Sequence, residues 1–159
     1  MRVSSLVFKR RAIGMLVVAV MAAHSSIAPA RAGTLYVDLG EERGLTRIVD
    51  GLLQRALADT RVMATLEDTN IERLKKLLVL QLCGLAGGPC HYTGRTMKAA
   101  HADLNLAPRH FNALVEDLQD AMDAEHVSFW TQNRLLALLA PMHRDVVGGH
   151  AGTKPGATP

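Results

Sequence analysis

Aromatic residues make up only 4% of this 159-residue chain, and β-branched clusters are scarce beside the abundant Leu and Ala. No segment sustains a two-residue apolar alternation, which excludes half-buried sheet strands and leaves helices to build the core. There is no Gly-rich phosphate loop, Cys-x-x-Cys, His-Glu-x-x-His or Gly-x-Ser-x-Gly. The common signatures of nucleotide binding, thiol redox chemistry, zinc proteolysis and serine hydrolysis are therefore absent. Six histidines follow residue 32, with no pair three or four apart on one expected helix, so they offer no zinc set. No internal repeat is visible. The longest uncharged apolar run, Ala12 to Ala23, is 12 residues, short of the roughly 20 that a membrane-spanning helix needs.

The charge balance is uneven along the chain. The whole sequence carries net +3, which by itself would suggest an acidic partner such as nucleic acid. Residues 1–32 hold five basic residues (Arg2, Lys9, Arg10, Arg11 and Arg31) and no acidic one, so the remaining 127 residues are net −2. The body of the protein thus gives no charge-based reason to expect nucleic acid. Lys9-Arg10-Arg11, the apolar run and Ala30-Arg31-Ala32 follow the order of a secretory signal, with cleavage expected after Ala32 and the protein expected in the periplasm. A retained single-pass anchor is the alternative. No Cys lies just after the apolar run, over residues 24–32, which argues against a lipid anchor there. The expected organisation is a signal over 1–32, one domain over 33–147 and a loose Gly/Pro-rich tail over 148–159.

The domain reads as all-α. Leu45, Ile48, Val49, Leu52, Leu53, Ala56 and Leu57 recur at helical spacing, with Asp59-Thr60 as the stop. Thr69-x-x-Glu72 predicts a capping box opening a helix that carries Ile71, Leu74, Leu78, Leu82 and Leu85. Gly87-Gly88-Pro89 ends it. A short helix is expected from Thr96 to Ala102. Pro108 suits the first turn of the next helix, whose expected buried stripe is Phe111, Leu114, Val115, Leu118 and Met122. Ser128 caps a last helix containing Leu135, Leu136, Leu138, Leu139 and Met142, which Pro141 should kink or end early. Four main helices and one short one result.

Met97 and His101 stand one turn apart on the short helix and face the same way. Ala99, Ala100 and Ala102 around them are small enough to admit a bulky planar group. A packed or solvated role remains the ordinary alternative for this histidine. Cys83 and Cys90, seven residues apart across a Gly-Gly turn, can form a disulfide or remain one buried thiol and one loop thiol.

The run from Gly87 to His101 (GGPCHYTGRTMKAAH) resembles the group I truncated haemoglobins in its Gly-Gly-Pro, Tyr-Thr-Gly and Met-x-x-x-His elements. Asp38-Leu39-Gly40, Leu57-Ala58-Asp59, Thr69-Asn70, His110-Phe111 and Leu139-Ala140-Pro141 extend the resemblance over about residues 35–147. It implies a two-over-two helical globin around haem b. His101 then corresponds to the axial iron ligand and Met97 to a residue packed under the porphyrin. Leu114 and Leu138 correspond to proximal and pocket-floor positions, and Tyr92 and Thr93 to the haem edge.

The distal side departs from the family. Many members place a Tyr on the second helix over the bound gas, linked to Gln residues on the next long helix. The matching residues here are Leu53, Leu74 and Leu78, and Leu66 matches the aromatic of the connecting corner. The implied pocket has four leucines and no donor. Gln81, one turn beyond Leu78, can reach its edge, and Gln54 should point away. O2 gains partial negative charge on binding, and a buried donor stabilises it by about 1.5–3 kcal/mol. Loss of that donor corresponds to about 10- to 150-fold in affinity. CO and NO depend on it less. The resemblance thus implies a diatomic-gas binder with O2, CO or NO as ligand. Conversion of NO to nitrate with a reductase is a second reading, and a haem-free interaction module a third.

Overall fold

The computed structural model describes residues 34–147. The expected leader over 1–32 and tail over 148–159 lie outside the described residues. Among the described residues there is no strand, and no helix is long and apolar enough to cross a membrane.

Seven α-helices follow in order: α1 (Leu35–Asp38), α2 (Glu41–Ala58), α3 (Ile71–Leu85), α4 (Met97–His101), α5 (Pro108–Ala124), α6 (Phe129–Leu139) and α7 (His143–Val147). The helix α1 was not anticipated. It is capped by Thr34, and Gly40 turns the chain into α2 with φ +80°. A Cβ on Gly44 would stand 2.1 Å from the Leu39 carbonyl oxygen, so only glycine lets α2 start so close to α1.

Each expected long helix forms. The helix α2 buries Leu45, Ile48, Val49, Leu52, Leu53 and Ala56 and stops at Asp59. Pro108 takes the first position of α5, and Ser128 caps α6 with Oγ accepting from Thr131 N at 3.3 Å. Pro141 sits in a 3-10 turn over Ala140–Met142, after which the chain resumes as α7. The start of α3 is a correction. Asn70, not Thr69, is the cap: its Oδ1 accepts from Arg73 N at 2.9 Å, while Thr69 N donates to Leu66 O. The Thr69–Glu72 box therefore does not form, because the preceding turn already takes Thr69 and moves the helix start by one residue.

The helices α2 and α3 pair over α5 and α6, with the widest contacts between α2 and α5 and between α2 and α3. Leu45, Ile48, Val49, Met122, Leu135 and Cys83 are fully buried at the centre. Burial of each large apolar side chain stabilises the fold by about 1.5–3 kcal/mol. The buried stripe of α5 also differs from expectation. It consists of Ala113, Asp117, Leu118, Ala121 and Met122, whereas Phe111 and Val115 are half-buried and Leu114 is 36% exposed. The close crossing of α2 explains the shift: a Cβ on Gly51 would lie 3.4 Å from the Ala121 Cβ. Small residues, not the largest ones, define this contact.

Asp117 is the polar exception in that crossing. It is 7% exposed, and Oδ2 is buried without a hydrogen-bond partner. Burial pushes its carboxyl above the ordinary range, and the nearby Asp59 carboxylate pushes the same way, against Arg61. Arg61 is itself held by Asp59 and Glu116.

Candidate functional site

His101 closes α4, a five-residue helix whose cap Thr96 accepts from Ala99 N at 3.2 Å. The half-buried imidazole places Nδ1 2.7 Å from the Met97 carbonyl oxygen. A carbonyl can only accept, so Nδ1 carries the proton and donates. In the neutral form of the ring Nε2 then keeps its lone pair, held in orientation by its own helix. A neutral imidazole nitrogen fixed in this way is a donor that haem iron takes. The donor chemistry therefore fits the group that the resemblance implies.

The loop before α4 is set by Tyr92 and by the cysteines. Tyr92 is half-buried, and its hydroxyl donates to Arg95 O at 2.9 Å. A Cβ on Gly94 would meet that hydroxyl at 2.2 Å, so the ring lies directly against the glycine. Cys83 and Cys90 form a disulfide with Cα atoms 5.7 Å apart, which resolves the two readings that spacing left open. The bond ties the end of α3 to the segment leading to Tyr92 and α4. Gly87, at φ +80°, provides the reversal between them.

The other expected site residues do not lie together. Leu53 belongs to the main core, with Leu74 and Leu78 half-buried against it. Leu66 is half-buried and packs on Ala56, Val62 and Ala113. Met97 faces α3, where Gln81 Nε2 donates to Met97 Sδ at 3.3 Å. Thr93 and Leu114 are exposed, as is Gln54. Leu138 is 39% exposed and lines a cavity of about 440 Å³ with Leu35, Leu85 and Ala86, none of which is an expected site residue. The structure thus joins Gln81 to Met97 across α3 and α4, and seats Leu138 in a different hollow.

Gln81 Nε2 also donates to Met142 Sδ at 3.3 Å, and Phe111 meets the His143 ring edge-on at 4.9 Å. Met142 and His143 were not anticipated as neighbours of this region. The available signal was Met142, four residues after Leu138 in a helical pattern that Pro141 interrupts. His110 is occupied elsewhere, with Nδ1 accepting from Ala107 N at 3.1 Å at the start of α5.

The profile of the bacterial-like globin family matches residues 34–147, the whole described region. The chain belongs to the bacterial-like globins, among the group 1 truncated haemoglobins. This globin is 31% identical over 123 residues to the group 1 truncated haemoglobin GlbN of Mycolicibacterium paratuberculosis, spanning 77% of this chain and 90% of that one. Its fold is similar to the crystal structure of truncated haemoglobin from Tetrahymena pyriformis in the Fe(III) form, with TM-score 0.70 and 30% identity. That match covers 72% of this chain and 98% of the other. The 2/2 haemoglobin of a Synechococcus species matches with TM-score 0.69 and 26% identity, over 73% and 99% of the two chains. The all-α globin expectation is borne out by these likenesses.

Proposed function

We propose that this chain is an exported haem-binding globin that takes O2, CO or NO at an iron held by His101. The observation that carries the reading is the 2.7 Å contact from His101 Nδ1 to Met97 O, which leaves Nε2 as the free donor. The Fe(III) form of the Tetrahymena pyriformis protein and the attached heme of the Synechococcus protein support haem as the group. When bound, haem would supply an iron able to take a diatomic gas.

The protein's own residues then orient, enclose and select. The Met97 carbonyl fixes the His101 ring, and the Met97 side chain would help to hold the haem. Leu114 would face its proximal side and Tyr92 its edge, whereas Leu138 lies in the separate hollow beside Leu35 and Leu85. Leu53, Leu66, Leu74 and Leu78 would wall the gas-binding side with side chains that exclude water and donate no hydrogen bond. Such a wall disfavours the more polar ligand, O2, relative to CO and NO.

The test is the visible spectrum of the protein made with sufficient haem. The Soret band is expected to vanish in His101→Ala and persist in His110→Ala, whose imidazole only caps α5. Retention of the band at full strength in His101→Ala would overturn the assignment.

A further inference from the structure

Residues 89–106 carry His101, yet little ties them to the rest of the chain. Among the described residues their hydrogen bonds are almost all local: Tyr92 to Arg95 O, Ala99 N to the Thr96 hydroxyl, His101 to Met97 O and Leu104 N to His101 O. The one that reaches outside the segment is the donation from Gln81 Nε2 to Met97 Sδ, a weak acceptor. No ion pair among the described residues involves it. The helix α4 packs chiefly on α7. Each has five residues, too few to hold a helix unaided. Leu106 is buried at the far end of the segment. At the near end the anchor is covalent: Cys90 is bonded to Cys83, which is 0% exposed within the main core.

The preceding turn is shaped to close that bond. Gly88 N donates to Cys83 O at 2.8 Å, and Tyr36 N donates to Ala86 O at 3.0 Å. A Cβ on Gly88 would lie 2.6 Å from Cys83 Sγ and 2.5 Å from Tyr36 Cδ2, so glycine lets the backbone and the ring close over the sulfur. These contacts stop at Gly88, and only the sulfur bridge carries the hold onward to Cys90.

We infer that the Cys83–Cys90 bond is a redox latch on the His101 seat: the oxidised chain holds α4 in place for haem, and the reduced chain leaves it unanchored. The inference rests on the haem reading of His101 given above. The latch closes by exchange with a disulfide oxidant, such as an oxidised dithiol protein. Half-buried Cys90 attacks as thiolate and forms a mixed disulfide, releasing one thiol of the oxidant. Cys83 then attacks Cys90 Sγ and expels the second. Two cysteine thiols become one S–S bond, and the oxidant's disulfide becomes two thiols. Opening requires Cys83 to leave as a thiolate inside the core, where burial penalises its charge. The latch therefore closes more readily than it opens, which ties haem acquisition to an oxidising compartment.

Hydrogen–deuterium exchange of the haem-free chain, oxidised and after phosphine reduction, tests the latch independently of haem. On reduction, protection over residues 92–104 is expected to fall about 10- to 100-fold further than that of α2 and α5. Haem transfer to excess haem-free myoglobin should quicken by a similar factor, both in the reduced chain and in the Cys83→Ala, Cys90→Ala double variant. Unchanged protection over 92–104, or an equal loss in all helices, would overturn the inference. So would haem transfer at one rate from both forms. If neither form takes up haem, the haem reading fails, and the exchange contrast alone still decides whether the bond holds α4.

Discussion

At the scale of single residues, the proposed gas site turns on leucines that offer no hydrogen-bond donor. Leu78 sits on α3 half-buried against the core, next to the turn that carries Gln81. Replacing it with Gln adds an amide donor without greatly changing volume. O2 dissociation from Leu78→Gln, followed by stopped flow, is expected to slow by about 10- to 150-fold, the equivalent of one buried hydrogen bond to a charged acceptor. CO dissociation should change far less. Gln81 cannot already fill that role in the described arrangement, because its amide is engaged by Met97 and Met142.

Asp117 is the other residue with a measurable consequence. Its carboxyl titrates higher in the folded chain than in the unfolded one, first because it is buried and then because Asp59 is near. A raised acid holds its proton more tightly when folded. The folded state is therefore favoured below the unfolded value near pH 4, and that advantage is lost as pH rises through the folded value. Asp117→Asn removes the ionisation while keeping the shape. Denaturant melts at neutral pH should show the variant more stable, by about 1–3 kcal/mol for an uncompensated buried polar group. The difference should shrink as the pH falls toward 4. An equal difference at both ends would contradict the burial argument. No hydrophobic spacing marks Asp117 as a buried position; it is buried where α5 crosses α2 closely at Gly51 and Ala121.

At the scale of elements, legibility followed local physics. The starts of α5 and α6 rest on Pro108 and Ser128, residues whose effect is exerted within one turn. The start of α3 was misjudged by one residue because Thr69 and Asn70 are both good caps, and the preceding turn chose between them. The short α4 depends more on its connection. Between α3 and α4 the chain has a Gly-Gly turn, the Tyr92–Arg95 contact and the Cys83–Cys90 bond. Cross-linking so short a loop stabilises the fold by about 2.5 kcal/mol in the chain-entropy picture. Cys90→Ser, or mild reduction of the native chain, should lower stability by about that amount. Loosening this connection should also speed haem loss, since it leads directly into the helix of His101. Unchanged melting in both cases would show that the loop is held by its other contacts.

At the scale of the whole molecule, charge and packing separate cleanly. The net +3 belongs to the full chain, and residues 1–32 account for all of its basic excess. The proposed export makes a simple prediction: N-terminal sequencing of the protein recovered from the periplasm should begin at Gly33. A protein beginning at Met1 would remove that part of the proposal. The two-over-two arrangement places α2 and α3 against α5 and α6 and leaves α4 to be positioned by its loop and by α7. The exposed aromatic pair Phe129 and Trp130 on α6 points outward from this layout.

The amino-acid sequence determined the helical class, the long helices, the proline breaks and the histidine on the short helix. Those features arise from spacing and capping within a few residues, where the chain needs no tertiary partner. Tertiary structure decided the rest. It paired the two cysteines, turned Asp117 inward, exposed Leu114 and Trp130, and set Gln81 against two sulfurs from other helices. Each outcome depends on how closely two helices approach, and small residues such as Gly51 and Ala121 control that distance without leaving a hydrophobic signal in the sequence.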